Sequence, residues 1–182
     1  MSNIAARDAT RRRFEALCVP HSADLTRYVY WLCHDRSLAE DVAQEALLRA
    51  WRSLDSLRED GAARSWLLTI ARRELARVFE RRRITTVGLE YAEETWSAQT
   101  SAGENYDVHA VRRAITDLHL LYREPLLLQM LFGYSTEEIA EQLQLNVPTV
   151  LTRLYRARHL LHKRLRPDVA SADAQLSTAT HA

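Results

Sequence analysis

The side chains able to do acid-base, nucleophilic or metal chemistry are scattered through this sequence. Seven histidines, at positions 21, 34, 109, 119, 159, 162 and 181, never stand at metal-ligand spacing beside carboxylates. Cys18 and Cys33 fall inside amphipathic patterns without CxxC or Cys/His spacing, so they read as core residues and not as a disulfide or a zinc site. No glycine-rich phosphate loop occurs, and no serine or cysteine has a base beside it in a catalytic motif. The expectation is a binding protein and not an enzyme, with no catalytic residue, metal, cofactor or small-molecule substrate. What remains is ionic chemistry. From Arg64 to Arg83 seven arginines stand against Glu74 and Glu80, a net +5, and from Val147 to Arg166 six basic residues stand with no acid, a net +6. Between them, Leu89 to Asp107 holds five acids and no base, so a formal net charge of +1 conceals two basic segments flanking an acidic one. Such asymmetry fits a protein that turns parts of its surface to a polyanion, while either basic run alone fits a solvated helix face as well.

The elements that must carry these charges are helices. In 182 residues, 47% of them hydrophobic, four glycines and four prolines are too few turn-formers for a sandwich or barrel of short strands. No apolar run approaches the roughly 20 residues of a membrane span. Arg7, Asp8 and Arg11–Arg13 precede any apolar segment, against a secretory signal, so the expected chain is soluble and cytoplasmic. Phe14, Leu17, Cys18, Leu25, Tyr28, Val29 and Leu32 recur at helical steps from Asp8 until His34–Arg36. Ser37 followed by Glu40 predicts a capping box and a helix to Leu54, with Ala43, Leu47, Ala50, Trp51 and Leu54 inward and Asp41, Glu45, Arg49 and Arg52 opposite. After the loop Asp55–Gly61, a helix over 62–83 turns Leu67, Ala71, Leu75 and Val78 inward, with Thr69, Arg72, Arg73, Ala76 and Arg77 across from them. Residues 84–105 lack periodicity and read as a flexible acidic linker, and 167–182 as a disordered tail. The fold class is therefore all-α, two small helical domains over 8–83 and 106–166.

The second block holds the most informative pair. Val108, Val111, Ile115 and Leu118 make a short helix; Pro125 is placed in the first turn of the next, which ends at Gly133. Ser135 with Glu138 opens a helix over 136–143, and Asn146 caps a final helix with Pro148 in its first turn. A short helix, a tight turn and a longer second helix form a helix-turn-helix, whose second helix enters the major groove. On that helix Val150, Leu154, Ala157, Leu161 and Leu165 share the core stripe, and Pro148, Thr152, Tyr155, Arg156, His159 and Lys163 the opposite one. The second stripe offers a hydroxyl, a ring, a guanidinium and an imidazole for base edges, with more positive charge toward its end for phosphates.

The run GYSTEEIAEQLQLNVPTVLTRLYRARH from Gly133 to His159 resembles region 4 of the extracytoplasmic-function (ECF) sigma factors of bacterial RNA polymerase, and YREPLLLQMLFG from Tyr122 resembles the helix leading into it. AEDVAQEALLRAW from Ala39 resembles their region 2.2, and SWLLTIARREL from Ser65 their region 2.3 to 2.4. The resemblance covers about residues 12 to 166. It implies a three-helix region 2 and a helix-turn-helix region 4 that bind core polymerase, through the β′ clamp helices and the β flap, and read the minus-10 and minus-35 promoter elements; it also implies an anti-sigma factor. By resemblance, Asp41, Gln44, Glu45 and Arg49 would bind polymerase, although the residues alone fit a solvated face. Pro148, Thr149, Thr152, Tyr155, Arg156, His159 and Lys163 would bind the minus-35 element. Arg58, Arg64, Trp66, Arg72, Arg73 and Arg77 would serve the minus-10 element, with the loop Leu57–Arg64 capturing a flipped base and Trp66 mainly packing that loop. The chain departs from the family pattern at Pro148, at Leu151 in place of a basic residue, and at Arg73 and Arg77, which cannot accept hydrogen bonds. Two other readings stay open from the residues: a helix-turn-helix transcription regulator, and a sigma mimic that sequesters an anti-sigma factor.

Overall fold

The structure, a computed structural model, describes residues 2–86 and 106–165. The expected linker over 84–105, apart from its first three residues, and the expected tail over 167–182 lie outside the described residues, as do Arg166 and the side chain of Val108. Among the described residues there is no strand. Eight α-helices among the described residues fall into two compact units.

The first unit contains α1 (Ser2–Leu17), a 3-10 turn (Val19–His21), α2 (Ser22–Cys33), α3 (Arg36–Arg52) and α4 (Ala63–Thr86). The single run of periodicity from Asp8 to Leu32 is thus two helices, the first beginning at Ser2. Pro20 explains the break: it has no amide hydrogen to donate, so the α-helical ladder stops and the chain passes through the 3-10 turn. Cys18 and Cys33 are both buried free thiols, and burial pushes the Cys18 thiol above its ordinary pKa, which keeps it protonated. His34 closes α2 in the left-handed region at φ 58°. Asp35 follows in extended backbone and accepts from the Leu38 amide at 3.0 Å. The cap of α3 is therefore Asp35, not Ser37, and Glu40 pairs instead with Arg36 at 3.0 Å. A carboxylate at the N-cap satisfies an amide and meets the positive helix end at once, and it comes first along the chain.

Helix α3 turns a face of small residues, Ala39, Ala43, Ala46 and Ala50, into the core, which lets α2 and α4 pack closely on either side. They meet Leu25, Tyr28, Val29 and Leu32 of α2 and Leu67, Leu68, Ala71 and Leu75 of α4. Trp51 is 40% exposed, and its ring takes the edge of Phe14 from α1 at 5.2 Å.

The second unit contains α5 (Tyr106–Thr116), α6 (Leu120–Phe132), α7 (Thr136–Leu143) and α8 (Val147–Leu165). Pro125 sits in the interior of α6, not in its first turn, because the helix starts at Leu120 with His119 as its cap. The His119 Nδ1 accepts from the Leu121 amide at 3.2 Å. The backbone bond that Pro125 removes is offset by burial of the leucines around it, Leu126, Leu127 and Leu128. Gly133 ends α6 at φ 70°, a conformation that a side chain would strain. Leu165, expected inward, is 37% exposed at the end of α8, and Val111 is similarly exposed on α5.

Candidate nucleic-acid and partner interfaces

Two caps orient the pair α7 and α8. The Ser135 hydroxyl accepts from the Glu138 amide at 3.2 Å, and the Glu138 carboxylate accepts from the Ser135 amide at 2.8 Å. These hydrogen bonds hold the Glu138 carboxyl below its ordinary range. Gln144, in the left-handed region at φ 56°, turns the chain, and Asn146 Oδ1 accepts from the Thr149 amide at 2.9 Å. Val150, Leu154 and Ala157 are buried, which fixes the rotation of α8. The opposite stripe then faces solvent: Pro148, Thr152, Tyr155, Arg156, His159 and Lys163 are all exposed, Tyr155 by 70%, while Thr149 is half-buried.

The cations of α8 divide by partner. Arg158 donates to Gln129 Oε1 of α6 at 2.6 Å, and Arg164 donates to the Ala114 carbonyl of α5 at 3.2 Å. Both fasten α8 to the unit. Arg156 points outward and donates to the Tyr122 hydroxyl at 3.4 Å. Tyr155 and His159 stack within 11° of parallel, presenting two flat rings side by side. Between the start of α6 and α8 lies an open groove of about 450 Å³ lined by Tyr122, Asn146, Thr149, Thr152, Arg153 and Arg156. Its mixture of hydroxyls, amide and guanidinium groups suits a phosphate backbone. Sequence reasoning assigned no role to Tyr122. Leu151, 53% exposed, adds an apolar patch where the resemblance leads one to expect a cation.

In the first unit, Asp41 and Gln44 are exposed on α3, but Glu45 and Arg49 are half-buried against α4. Arg49 Nε stands 3.2 Å from Glu45 Oε1 and 2.9 Å from Glu74 Oε1. Arg77 Nη1 reaches the same Glu74 oxygen at 2.8 Å. Glu74 itself is 3% exposed, a buried carboxylate shared by two arginines from different helices. The expectation that Glu45 and Arg49 lie wholly on an exposed face is corrected: a residue reached across the helix pair draws them into a cleft of about 590 Å³, walled also by Asp41, Arg81 and Arg82. On the outer side of α4, Arg73 is exposed and Arg72 half-buried. Arg58 is exposed on the loop before α4, Trp66 is half-buried, and Arg64 turns back to Asp24 of α2 at 3.3 Å. Among the described residues no group of histidine, cysteine or carboxylate side chains could hold a metal ion, and no helix is long and apolar enough to cross a membrane.

Comparison with known proteins gives the same division. Residues 18–85 match the family model described as Sigma-70 region 2, and residues 109–161 the one described as Sigma-70, region 4. The RNA polymerase sigma-H factor of Pseudomonas aeruginosa is 30% identical over 170 residues, 86% of this chain and 88% of the relative. The ECF RNA polymerase sigma factor SigL of Mycobacterium tuberculosis is 34% identical over 163 residues, 86% of this chain and 90% of the relative. Among solved structures, the sigma factor RpoE in complex with the anti-sigma factor NepR from Bartonella quintana superposes with a TM-score of 0.71 at 25% identity, covering 85% of this chain and 98% of that one. CnrH in complex with the cytosolic domain of CnrY gives 0.64 at 25% identity, covering 91% and 97%.

Proposed function

The chain belongs to the ECF RNA polymerase sigma factors, which direct transcription initiation, and on that premise we propose that its second unit reads an upstream promoter element through α8 while its first unit binds polymerase and the downstream element. The observation that carries this reading is the outer stripe of α8: exposed, free of acid, held in rotation by three buried side chains, and placed after a capped short helix. Arg156, Tyr155 and Thr152 reach base edges, while Lys163 and Arg153 meet phosphates. Pro148, Thr149 and His159 complete the minus-35 surface.

In the first unit Asp41 and Gln44 contact the polymerase core directly, with Glu45 and Arg49 forming the edge of that face. Arg58, Arg72 and Arg73 meet the minus-10 strand. Arg77 and Arg64, each engaged by a carboxylate within the unit, contribute positive potential more than direct contacts, and Trp66 packs beneath the loop. Promoter opening then draws on binding: contacts to unstacked non-template bases offset the few kcal/mol needed to unpair each one. The chain supplies recognition and the polymerase supplies the catalysis, so the protein acts in the cytoplasm and is not itself an enzyme. An anti-sigma factor is a further partner, as NepR is for its structural relative RpoE.

The experiment is to mix the purified chain with bacterial core polymerase and select promoters from random DNA by transcript recovery. A recurrent pair of elements whose transcription requires the chain supports the proposal. Binding to DNA without core, or no transcription with it, would instead identify a helix-turn-helix regulator or a mimic.

A further inference from the structure

We propose that Arg13 of α1 is a positioning residue for promoter opening: it holds the loop between α3 and α4 in shape before a DNA base reaches it. The inference rests on the reading of that loop as the place where an unpaired minus-10 base is received. After Ser53 the chain makes a 3-10 turn over Leu54–Ser56, another over Asp60–Ala62, and enters α4 at Ala63. Leu54 and Leu57 are buried and fix its inner side. Arg58, Glu59, Asp60 and Gly61 are exposed and form its outer side. The two leucines order the inner side, but the exposed tip gains no order from core packing and is held by polar tethers.

Arg13 supplies such a tether from a distant part of the chain. Its Nη2 donates to the Leu57 carbonyl at 3.1 Å and to Asp60 Oδ1 at 2.9 Å, and its Nε donates to the same Asp60 oxygen at 3.3 Å. One planar guanidinium thereby spans from the buried start of the loop to its exposed tip, a geometry that the point charge of a lysine cannot reproduce. The adjacent Phe14 sets its ring against Trp51 near the end of α3, so the part of α1 that bears Arg13 is itself anchored. At the far end of the loop, Asp24 of α2 holds Arg64. Helix α1 lies outside the segment 18–85 that matches the family model, and the role assigned to it comes from this chain's own contacts.

A loop ordered in advance does not lose its conformational freedom on receiving a base, and that loss would otherwise be subtracted from affinity. The ion pair is half in solvent, so the effect is moderate: about three- to tenfold in affinity, the range of one modest interaction.

The test uses holoenzyme assembled from the full chain and bacterial core. The probe is a fluorescein-labelled single strand carrying the non-template minus-10 sequence found by promoter selection. Arg13→Ala should weaken strand binding about three- to tenfold, with core affinity and binding to an upstream duplex fragment unchanged. Exchanging the pair, Arg13→Asp with Asp60→Arg, should recover the part of the loss that comes from the pairing of positions 13 and 60, but not the part from the Leu57 carbonyl, to which a carboxylate cannot donate. Full strand affinity in Arg13→Ala, together with a loss in Arg58→Ala, would overturn the positioning role and leave the loop reading standing. No loss in either variant would overturn both. A loss accompanied by weaker core binding, with no recovery on exchange, would mean that Arg13 merely supports the fold, and the proposal would fail.

Discussion

Replacing Glu74 removes one acceptor that two arginines share. Its carboxylate is buried, but the Arg49 and Arg77 side chains are 42% and 50% exposed, so both can turn to water when it is lost. A fully buried pair broken on one side costs about 3–5 kcal/mol, and an exposed pair about 0–1. The geometry here lies between these limits. One charge-assisted hydrogen bond, from Arg77, and one ion pair, with Arg49, are lost, while Glu45 continues to hold Arg49, so Glu74→Ala should cost about 2–3 kcal/mol and Glu74→Gln about 1–2, the amide keeping one acceptor. Trp31, Trp51 and Trp66 lie in the first unit and residues 106–165 contain no tryptophan, so tryptophan fluorescence during urea unfolding of the full chain reports the first unit and not the second. For a unit of this size 2 kcal/mol lowers Tm by about 8–16 °C. Arg49→Ala combined with Arg77→Ala should cost more than the sum of the two, because either arginine alone still pairs the buried carboxylate and only the double change leaves it without both. Both Glu74 variants within about 0.5 kcal/mol of the parent chain would refute the claim that the shared carboxylate joins α3 to α4.

Three further outcomes follow from the same contacts. Asp41→Lys should weaken binding to core polymerase at least about tenfold with Tm unchanged, because Asp41 is exposed; Glu45→Lys should lower both, because Glu45 supports Arg49, and a competition assay beside a melting curve separates the two. The Glu138 carboxyl has a folded pKa below its ordinary value, so its contribution to the second unit is present above the ordinary carboxyl range and is lost as pH falls through the lowered value. Acid melting followed by circular dichroism should therefore show a shallower pH dependence in Glu138→Gln. Gly133→Ala should destabilise the second unit by about 1 kcal/mol, since φ of 70° strains a side chain although nothing stands within 4 Å of the added carbon.

Features decided within four residues were legible in the sequence. Ser135 with Glu138, Asn146 before Pro148 and Gly133 after Phe132 each fix a helix end through contacts with near neighbours, and the structure has all three. The rotation of α8 follows from its apolar spacing in the same way. Competition between local signals was not legible: Asp35 and Ser37 are both capable caps, and the left-handed turn at His34 decides for the first. Nor does the sequence mark His119 as a cap, although that cap is what places Pro125 inside its helix. Contacts between elements were the least visible. Glu74 looks like one more charge on a basic helix until α3 brings Arg49 to it, and Tyr122 meets Arg156 only because α6 crosses α8. These pairings come from packing, which hydrophobic periodicity implies but does not specify.

In the proposed reading, α8 reads base identity through Arg156 and holds phosphate through Lys163. On a promoter selected by the reconstituted holoenzyme, every base of the upstream element is varied in turn and initial transcription is measured for the parent chain, Arg156→Ala and Lys163→Ala. Arg156→Ala should lose about 1–3 kcal/mol with discrimination abolished at one base position, and Lys163→Ala should show a uniform loss with a salt dependence smaller by about one counterion. Equal, sequence-independent losses for the two variants would contradict it.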